Sequence, residues 1–458
     1  MKIVRRDRSF LFLLFILVAA FQVYPQAGAV AASGKTPVII IPGLTGSELV
    51  NAKTGEEVWF KPSRAKEDDI RLPISPNLSA NRDNLVPRDI IRSIKLLKFL
   101  PQSEIYERLI DALEKRGGYK EGLWETPPKD GFQDTFYVFA YDWRLDNVSN
   151  ARLLIRKIET LKRRLRKPNL KFNIVAHSMG GLLARYAAMY GNADIPSGNI
   201  RPTWAGARHF DKIVLLGTPN EGSVSTLDAF LNGFSYIGRG VNLPFIQDIS
   251  RFDVFTIPSM YQLLPHEGTL LAYDEKLDPI QLDLFDPATW EKYGWNIWDD
   301  KDFTKKLTSA EQAKAKAYFR AVLARAKRFQ AALDANTSEK VPVKFYLMGA
   351  GCKETGSAML LLFDPKKNKW TASFKSDGFT RSDGTKVTAE QVKPLIFTDG
   401  DSVVTKRSLS ADALIRGGKK VVLPISAELY QCEAHSQLVT NPVIQDKLFL
   451  LLNDQLTP

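Results

Sequence analysis

The chain is poor in cysteine and in histidine, and both scarcities limit the chemistry that it can carry. Only two cysteines, Cys352 and Cys432, occur among its 458 residues. Two cysteines exclude a disulfide framework and a cysteine-rich zinc module, and they allow a single bridge. Four histidines are present, so a reaction that needs an imidazole base has few candidates. No motif indicates a metal site, and we expect neither a metal nor a cofactor.

Long apolar runs are also scarce, and the one at the N-terminus has the features of an export signal. Basic residues within 2–8 precede an apolar run over 10–21, and small residues within 27–31 fit an A-x-A cleavage site. We therefore expect residues 1–31 to be a signal peptide, with a retained N-terminal anchor as the alternative. No later stretch reaches 18 apolar residues without charges. The sequence predicts a secreted or periplasmic protein.

Positive charge exceeds negative charge, with a formal net charge of +12. Loss of residues 1–31 removes four basic residues and one acidic residue, which leaves +9. Such a balance is compatible with nucleic acid, with an anionic membrane surface, or with solubility alone. Export and the lack of a nucleic-acid motif argue against nucleic acid as a partner. Peripheral attraction to anionic lipid headgroups stays compatible with the charge.

Short apolar runs alternate with amphipathic stretches, which is typical of an α/β sheet with crossover helices. The predicted strands lie at 38–41, 136–141, 173–176, 212–216, 343–348 and 420–425. The predicted helices lie at 103–116, 150–166, 180–189, 309–335 and 441–452. Apolar strands without polar alternation indicate a mostly parallel sheet that is covered by helices on both faces.

Two regions interrupt this alternation. Residues 60–100 are polar, contain several prolines and show no clear period, so we expect an irregular, cap-like segment. Residues 220–342 form a long insertion between the fourth and fifth predicted strands, and insertions of this kind are usually caps or lids. The core of the fold is then predicted to consist of residues 32–219 and 343–458.

Ser178 lies in the strongest local motif. The apolar strand 173–176 runs into His-Ser-Met-Gly-Gly, and a helical pattern follows. A nucleophile elbow needs this context, because its serine sits on a tight turn between strand and helix and small neighbours let the backbone pass closely. Ala176 stands where the usual motif has glycine, and alanine is still small. The alternative is that Ser178 only caps the helix.

His435 is the best candidate for the base that a nucleophilic serine needs. It follows the last predicted strand and precedes the C-terminal helix, where the order serine, acid, histidine requires the base. His177 is adjacent to Ser178, and neighbours on a turn point apart, so we expect it to pack structurally. His209 precedes a strand and should lie at the opposite edge of the sheet. His266 falls in the insertion, as a surface or cap residue.

The acid and the oxyanion donors are predicted from their places after strands. Asp401 lies 34 residues before His435 and is our choice to orient the imidazole. Asp399 is the alternative, although an Asp-Gly pair is also an ordinary turn. The expected oxyanion donors are the backbone N–H groups of Met179, after the nucleophile, and of Leu44, in the glycine loop after the first strand. A simple glycine turn is the other interpretation of that loop.

The ordered set of motifs resembles the lecithin:cholesterol acyltransferase-like family of α/β-hydrolases, which includes lysosomal phospholipases and phospholipid:diacylglycerol acyltransferases. The similar segments, spread over most of residues 37–450, are 42–49, 141–144, 176–181, 217–219, 261–265, 400–401 and 435. The resemblance implies an α/β-hydrolase fold with an inserted cap or lid. It also implies that Ser178, Asp401 and His435 form a catalytic triad and that Leu44 and Met179 form the oxyanion hole.

The chain departs from the family pattern in three places. Ser402 follows the acid where the family usually has threonine. Residues 47–100 hold no cysteine, whereas the characterised secreted animal members have a cysteine-bridged lid region near the N-terminus. The segment between Gly356 and Pro394 is longer than usual, and its two Asp-Gly pairs suggest an added β-hairpin.

Aromatic residues and glycines in the stretch 227–238 suggest a mobile lid over a lipid-binding pocket. Phe230, Phe234 and Tyr236 would contact the lipid interface, and the glycines would act as hinges. Trp59 is expected to line the same substrate mouth. The alternative is that this stretch is an ordinary core piece of the cap.

Two further pairs of residues have structural interpretations. Cys352 and Cys432 should both lie near the carboxyl edge of the sheet, and an exported protein allows a bridge between them. The bridge would brace the loop that carries His435, and two free buried thiols are the alternative. Asp142 and Arg144 fit a buried ion pair better than a catalytic role.

These observations predict an exported serine enzyme that attacks the ester carbonyl of a lipid through an acyl-serine intermediate. Phospholipase or lipase activity is favoured. Transfer of a fatty acyl group from a phospholipid to a sterol or another lipid alcohol is the close alternative. A small-ester or peptide hydrolase and a non-catalytic binding protein are the remaining alternatives. The expected partner is a lipid substrate at a membrane or micelle surface.

Overall fold

The computed structural model describes residues 34–61, 69–94, 103–234, 249–305, 307–336, 340–412, 414–416, 419–421 and 423–455. The predicted signal peptide and Tyr236 lie outside the described residues. Within those ranges, no helix has the length and apolar character needed to cross a membrane.

The described residues include helices beside the central sheet, in the insertion and in the segment after Gly356. They are α1 (Glu107–Lys115), α2 (Asn147–Arg164), α3 (Met179–Tyr190), α4 (Val224–Asn232), α5 (Arg251–Phe255), α6 (Pro258–Gln262), α7 (Pro287–Lys292), α8 (Lys301–Thr304), α9 (Ser309–Leu333), α10 (Ala389–Ile396), α11 (Lys406–Ser410) and α12 (Pro442–Leu452).

The strands form one large sheet and several small ones. They are β1 (Val38–Ile41), β2 (Ser47–Asn51), β3 (Glu57–Trp59), β4 (Leu85–Ile90), β5 (Ser93–Ile94), β6 (Ser103–Glu104), β7 (Lys120–Glu121), β8 (Thr135–Val138), β9 (Phe172–His177), β10 (Phe210–Leu216), β11 (Leu271–Tyr273), β12 (Pro279–Gln281), β13 (Lys344–Gly349), β14 (Lys353–Gly356), β15 (Ala358–Asp364), β16 (Lys369–Ser373), β17 (Phe379–Thr380), β18 (Lys386–Val387), β19 (Phe397–Gly400), β20 (Ile415–Arg416), β21 (Lys419–Lys420) and β22 (Ile425–Tyr430).

The central sheet has seven strands in the order β22-β13-β10-β9-β1-β8-β7, and each neighbouring pair is parallel. Strand β1 shows why the sequences of the central strands are continuously apolar. Ile39 and Ile41 face the side covered by α2 and α3, whereas Val38 and Ile40 face the side covered by α1 and α12. Both faces of the sheet are therefore buried. The predicted mostly parallel sheet with helices on both faces is confirmed.

The last strand of the sheet was predicted at 420–425 and lies instead at 425–430. Val421 and Leu423 are buried, but they pack in a small separate cluster with Leu414. Strand β22 is at the edge of the sheet and alternates between half-buried and exposed residues. The apolar run therefore marked a buried loop, because an edge strand does not need continuous apolar residues.

The long insertion carries helices α4 to α9 and strands β11 and β12 between β10 and β13. Its interior is aromatic, with ring centroids 5.2 Å apart for Trp290 and Phe319 and 6.1 Å apart for Phe255 and Phe319. The added segment after Gly356 contributes two hairpins, β15–β16 and β17–β18. Strand β15 also pairs in parallel with β11, which attaches this segment to the insertion.

Candidate active site

Ser178 occupies the turn between β9 and α3, as a nucleophile elbow requires. Its backbone has φ 53° and ψ −127°, a conformation that a non-glycine residue adopts only under strain. The neighbouring strand is close: a Cβ atom on Gly180 would lie 2.5 Å from the Pro42 carbonyl oxygen. Position 180 therefore requires a glycine for steric reasons. This glycine allows the turn that places Ser178 at the carboxyl edge of the sheet.

The structure brings the three predicted side chains together at this edge. His435 Nε2 lies 2.9 Å from Ser178 Oγ, and His435 Nδ1 lies 2.7 Å from Asp401 Oδ2. Asp401 is 2 % exposed, whereas Asp399, the alternative acid, is exposed on β19. With a neutral imidazole, Nδ1–H donates to the carboxylate and Nε2 accepts from the serine hydroxyl. The imidazole is thus oriented to take the serine proton.

Asp401 is kept in its charged form by its surroundings. Burial alone would raise the pKa of this carboxyl, but the His435 imidazole and the amides of Val404 and Val403 outweigh burial and lower its pKa. The two amides donate to Asp401 Oδ1 at 2.7 Å and 3.0 Å. The His435 N–H also donates to the Asp401 carbonyl oxygen at 2.8 Å. The carboxylate and the imidazole are therefore joined through both side chain and backbone.

The loop that carries Leu44 packs directly against the serine. A Cβ atom on Gly43 would lie 2.9 Å from Ser178 Cβ. The loop closes as a tight turn, because the Gly46 N–H donates to the Gly43 carbonyl oxygen at 3.1 Å. Leu44 is half-buried in this turn, and Met179, the other predicted oxyanion donor, is buried as the first residue of α3. Both peptide units are thus next to the serine.

Two aromatic side chains that the sequence did not assign to this loop hold it from behind. Trp59 Nε1–H donates to the Thr45 carbonyl oxygen at 3.0 Å, and the Tyr141 hydroxyl donates to the Pro42 carbonyl oxygen at 2.9 Å. Trp59 is 1 % exposed. It therefore supports the loop and does not line an open mouth.

The proposed lid residues have different surroundings. Phe230 is buried, with its ring 4.6 Å from Tyr261 and 5.6 Å from Trp290. These contacts place Phe230 in the core of the cap, which was the alternative interpretation. Phe234 is 36 % exposed, and its backbone pairs with Ile249.

Cys352 and Cys432 form a disulfide with their Cα atoms 5.5 Å apart. Cys352 follows β13, and its N–H donates to the Gly400 carbonyl oxygen at 3.1 Å. Cys432 lies three residues before His435. The bridge therefore ties the histidine loop to the strand that leads to Asp401.

The other two histidines do not reach the serine. His209 is buried just before β10, with Nδ1 3.2 Å from Lys162 Nζ. His266 is 1 % exposed in the insertion and pairs with Asp334 at 2.9 Å, so it is a cap residue and not a surface residue.

Asp142 and Arg144 form a buried ion pair, as the sequence favoured. Arg144 has no exposed surface, and its guanidinium contacts Asp142 at 2.8 Å and Asp83 at 2.6 Å. It also donates to the Ile70 carbonyl oxygen at 3.1 Å. The cluster thus joins Ile70 and Asp83 of the 60–100 segment to the residues that follow β8.

Comparisons with known proteins agree with this arrangement. The family model for lecithin:cholesterol acyltransferase matches residues 91–318. Phospholipase A(1) LCAT3 of Arabidopsis thaliana is 26% identical over 269 residues, which are 52% of this chain and 54% of that protein. The chain thus spans about half the length of that relative.

A solved structure shares the fold. A chain of the Tle4–Tli4 complex aligns with a TM-score of 0.55 and 14% identity, over 92% of this chain and 98% of that one. Taken with the parallel sheet and the elbow, these findings confirm the predicted resemblance. Over about half of its length, the chain is similar to the lecithin:cholesterol acyltransferase family.

Proposed function

We propose that this protein is a serine enzyme that cleaves lipid esters through an acyl-serine intermediate. The observation that carries the proposal is the continuous contact from Ser178 Oγ to His435 Nε2 at 2.9 Å and from His435 Nδ1 to Asp401 Oδ2 at 2.7 Å. A serine hydroxyl is a weak nucleophile unless a base takes its proton, and this contact supplies the base and the group that orients it.

The reaction proceeds in two halves. Ser178 Oγ attacks the ester carbonyl carbon while His435 Nε2 takes the serine proton, and the N–H groups of Leu44 and Met179 stabilise the oxyanion. The bond to the lipid alcohol then breaks, and that oxygen receives the proton from His435. A water molecule or a second alcohol repeats these steps on the acyl-serine and restores Ser178.

The family supports a lipid substrate. The curated relative is named a phospholipase A(1) and the family model is named for an acyltransferase, and both chemistries pass through an acyl group taken from a lipid ester. We favour hydrolysis, so that the protein acts as a phospholipase or lipase. Acyl transfer to a sterol or another lipid alcohol is the second candidate, favoured by the name of the family model.

A non-catalytic role on the same fold has less support. A binding protein does not need serine, imidazole and carboxylate within hydrogen-bonding distance of one another, and all three are present here. The strained backbone of Ser178 is a further cost that binding alone does not explain.

We also propose that the protein works outside the cytoplasm, in the periplasm or as a secreted protein, peripherally at a lipid surface. The N-terminal basic and apolar pattern supports export. The Cys352–Cys432 disulfide supports an oxidising compartment.

The test is incubation with a mixed dispersion of phospholipid, sterol and diacylglycerol, with the products resolved by mass. Free fatty acid with lysophospholipid indicates hydrolysis, and new neutral esters indicate transfer. A fluorophosphonate probe should label the wild-type protein and should not label Ser178→Ala. Full activity of Ser178→Ala would contradict the assigned nucleophile, and a wild-type protein that forms neither product would contradict the substrate class.

A further inference from the structure

His177 connects the two loops that flank the nucleophile, although the sequence suggested only structural packing for it. Its Nδ1 atom lies 2.9 Å from the Tyr106 hydroxyl oxygen, and that oxygen accepts a hydrogen bond from the Gly43 N–H at 2.9 Å. Its Nε2 atom lies 3.2 Å from the His435 carbonyl oxygen. One imidazole and one phenol thus span from the oxyanion loop to the backbone of the catalytic histidine.

The direction of these hydrogen bonds follows from the groups at the two ends. A carbonyl oxygen can only accept, so Nε2 of His177 must carry the proton that faces His435. The other nitrogen of a neutral imidazole is then an acceptor, and the Tyr106 hydroxyl donates to it. The phenol oxygen, in turn, accepts from Gly43. All polar atoms along the chain are therefore satisfied in a single arrangement.

The surroundings keep His177 neutral. Burial, followed by the nearby His435, lowers the pKa of His177 to about 3. The two imidazole rings have centroids 4.9 Å apart, so a charged His177 would oppose the positive charge that forms on His435 during the reaction. A neutral bridge avoids this repulsion.

We propose that Tyr106 and His177 are positioning residues that hold the Pro42–Gly43 peptide unit, one residue before the Leu44 N–H, and the backbone of His435 at a fixed separation across Ser178. Tyr106 lies just before α1, is 2 % exposed, and packs its hydroxyl against Gly46 as well as Gly43. The two residues act only through the groups they hold. This proposal rests on the acyl-serine mechanism above, because it assigns them to the geometry of that site.

The first test is Tyr106→Phe, which removes one oxygen atom and keeps the ring. Loss of an oxyanion-hole donor costs about 10²- to 10³-fold in kcat. Since here the donor is displaced and not removed, we expect kcat on a short soluble ester to fall roughly 10- to 100-fold. KM should change less than about threefold, because ground-state binding is not affected.

Tyr137→Phe is the matched control. The Tyr137 hydroxyl is also buried and donates to a backbone carbonyl oxygen, that of Gly131, at 2.8 Å. Tyr137 lies within β8, and its hydroxyl is bound to the loop that precedes this strand. Both variants should lower Tm by similar amounts, but only Tyr106→Phe should lower kcat.

The second test is a comparison of His177→Gln with His177→Leu. A glutamine amide keeps one acceptor and one donor, whereas leucine keeps neither. We expect Gln to retain at least about tenfold more kcat than Leu, because it can restore both hydrogen bonds. The double variant Tyr106→Phe/His177→Leu should be no slower than His177→Leu alone, since both changes break one chain.

The outcomes separate this proposal from the proposed function. If the wild-type protein is labelled by the fluorophosphonate and cleaves the ester, but Tyr106→Phe has wild-type kcat, the positioning role is refuted while the mechanism stands. Equal activity of the two His177 variants, or strictly additive losses in the double variant, would also refute it. A wild-type protein that is neither labelled nor active refutes the proposed function itself.

Discussion

Gly217 lies directly against the pair formed by His435 and Asp401. A Cβ atom on Gly217 would be 3.1 Å from His435 Nδ1 and 3.2 Å from Asp401 Oδ2. Its φ of +56° also falls in the left-handed region, where side chains are disfavoured. The residue after β10 must therefore be glycine for two independent reasons, one steric and one conformational.

We predict that Gly217→Ala reduces kcat by about 10²-fold, because a displacement of the imidazole by a few tenths of an ångström to 1 Å misaligns the proton transfer. The control is Gly294→Ala, since Gly294 has φ +66° and would place its Cβ in open space. The control should lose stability but keep kcat. The measurement is kcat on a soluble ester together with Tm for both variants. Equal activity of the two variants would show that the Gly217 contact is unimportant.

The choice between the two acidic residues near β19 can be tested in a matched pair. Asp401→Asn should lower kcat roughly 10³- to 10⁴-fold, because an amide cannot hold the imidazole in the required tautomer or stabilise its charged form. Asp399→Asn, an exposed position two residues earlier, should leave kcat within about twofold. Steady-state kinetics of both variants decide the assignment. A larger loss in Asp399→Asn would reverse it.

The positions of Ser178, Asp401 and His435 could be predicted from the sequence because topology fixes their order. Ser178 and His435 follow β9 and β22, two parallel strands of the central sheet that end at the same edge. Asp401 follows β19, which pairs antiparallel with β14 outside that sheet, so its position was predicted from the chain order serine, acid, histidine. The helix after Ser178 was also predicted to within one residue at each end, since its apolar residues face the buried side of β9.

The support behind the oxyanion loop could not be predicted in this way. Tyr106 and Trp59 carry no motif, and their partners are backbone atoms of Gly43 and Thr45, which any residue could supply. A pattern reports which side chains are apolar, but it does not report which carbonyl an indole faces. The misplaced strand at 420–425 has the same origin, because apolar residues there fill a local cluster and not the sheet.

The disulfide should matter more for stability than for the chemical step. Cys352 and Cys432 are 80 residues apart, and closing a loop of this length restricts the unfolded chain, so Cys352→Ala/Cys432→Ala should lose about 2–5 kcal/mol of unfolding free energy. The hydrogen bond from the backbone N–H of His435 to the Asp401 carbonyl oxygen does not involve either cysteine. We therefore expect kcat to fall less than about tenfold. Urea denaturation and kinetics test both statements, and a near-complete loss of kcat in a folded variant would contradict the second.

Phe230 is predicted to act as a core residue of the cap. Because its ring is packed between Tyr261 and Trp290, Phe230→Ala should cost about 3–5 kcal/mol of stability. Turnover of a soluble ester and of aggregated phospholipid should change by the same factor in protein that remains folded. Leu123→Ala is the control, because its side chain is at a site that is 62 % exposed. This variant should change neither the stability nor the turnover of either substrate. A selective loss on aggregated lipid would instead support the lid interpretation of Phe230.

His209 should make the fold sensitive to acid. Burial, followed by the charges of Lys162 and Arg208, lowers the pKa of His209 to about 4, although the Glu159 carboxylate 3.6 Å away favours the charged form. Between pH 6.5 and 4 the unfolded chain binds a proton that the folded protein excludes, so stability falls as the pH is lowered through this window.

His209→Gln removes that proton uptake. His177 also has a lowered pKa, but its contribution is the same in the wild-type protein and in the variant, so it cancels in the comparison. From pH 7 to pH 5 the wild-type protein should therefore lose roughly 1–2 kcal/mol more unfolding free energy than His209→Gln does. Urea denaturation at the two pH values measures the difference. Identical losses in both proteins would show that folding does not change the pKa of His209, and a smaller loss in the wild-type protein would show that Glu159 holds His209 in its charged form.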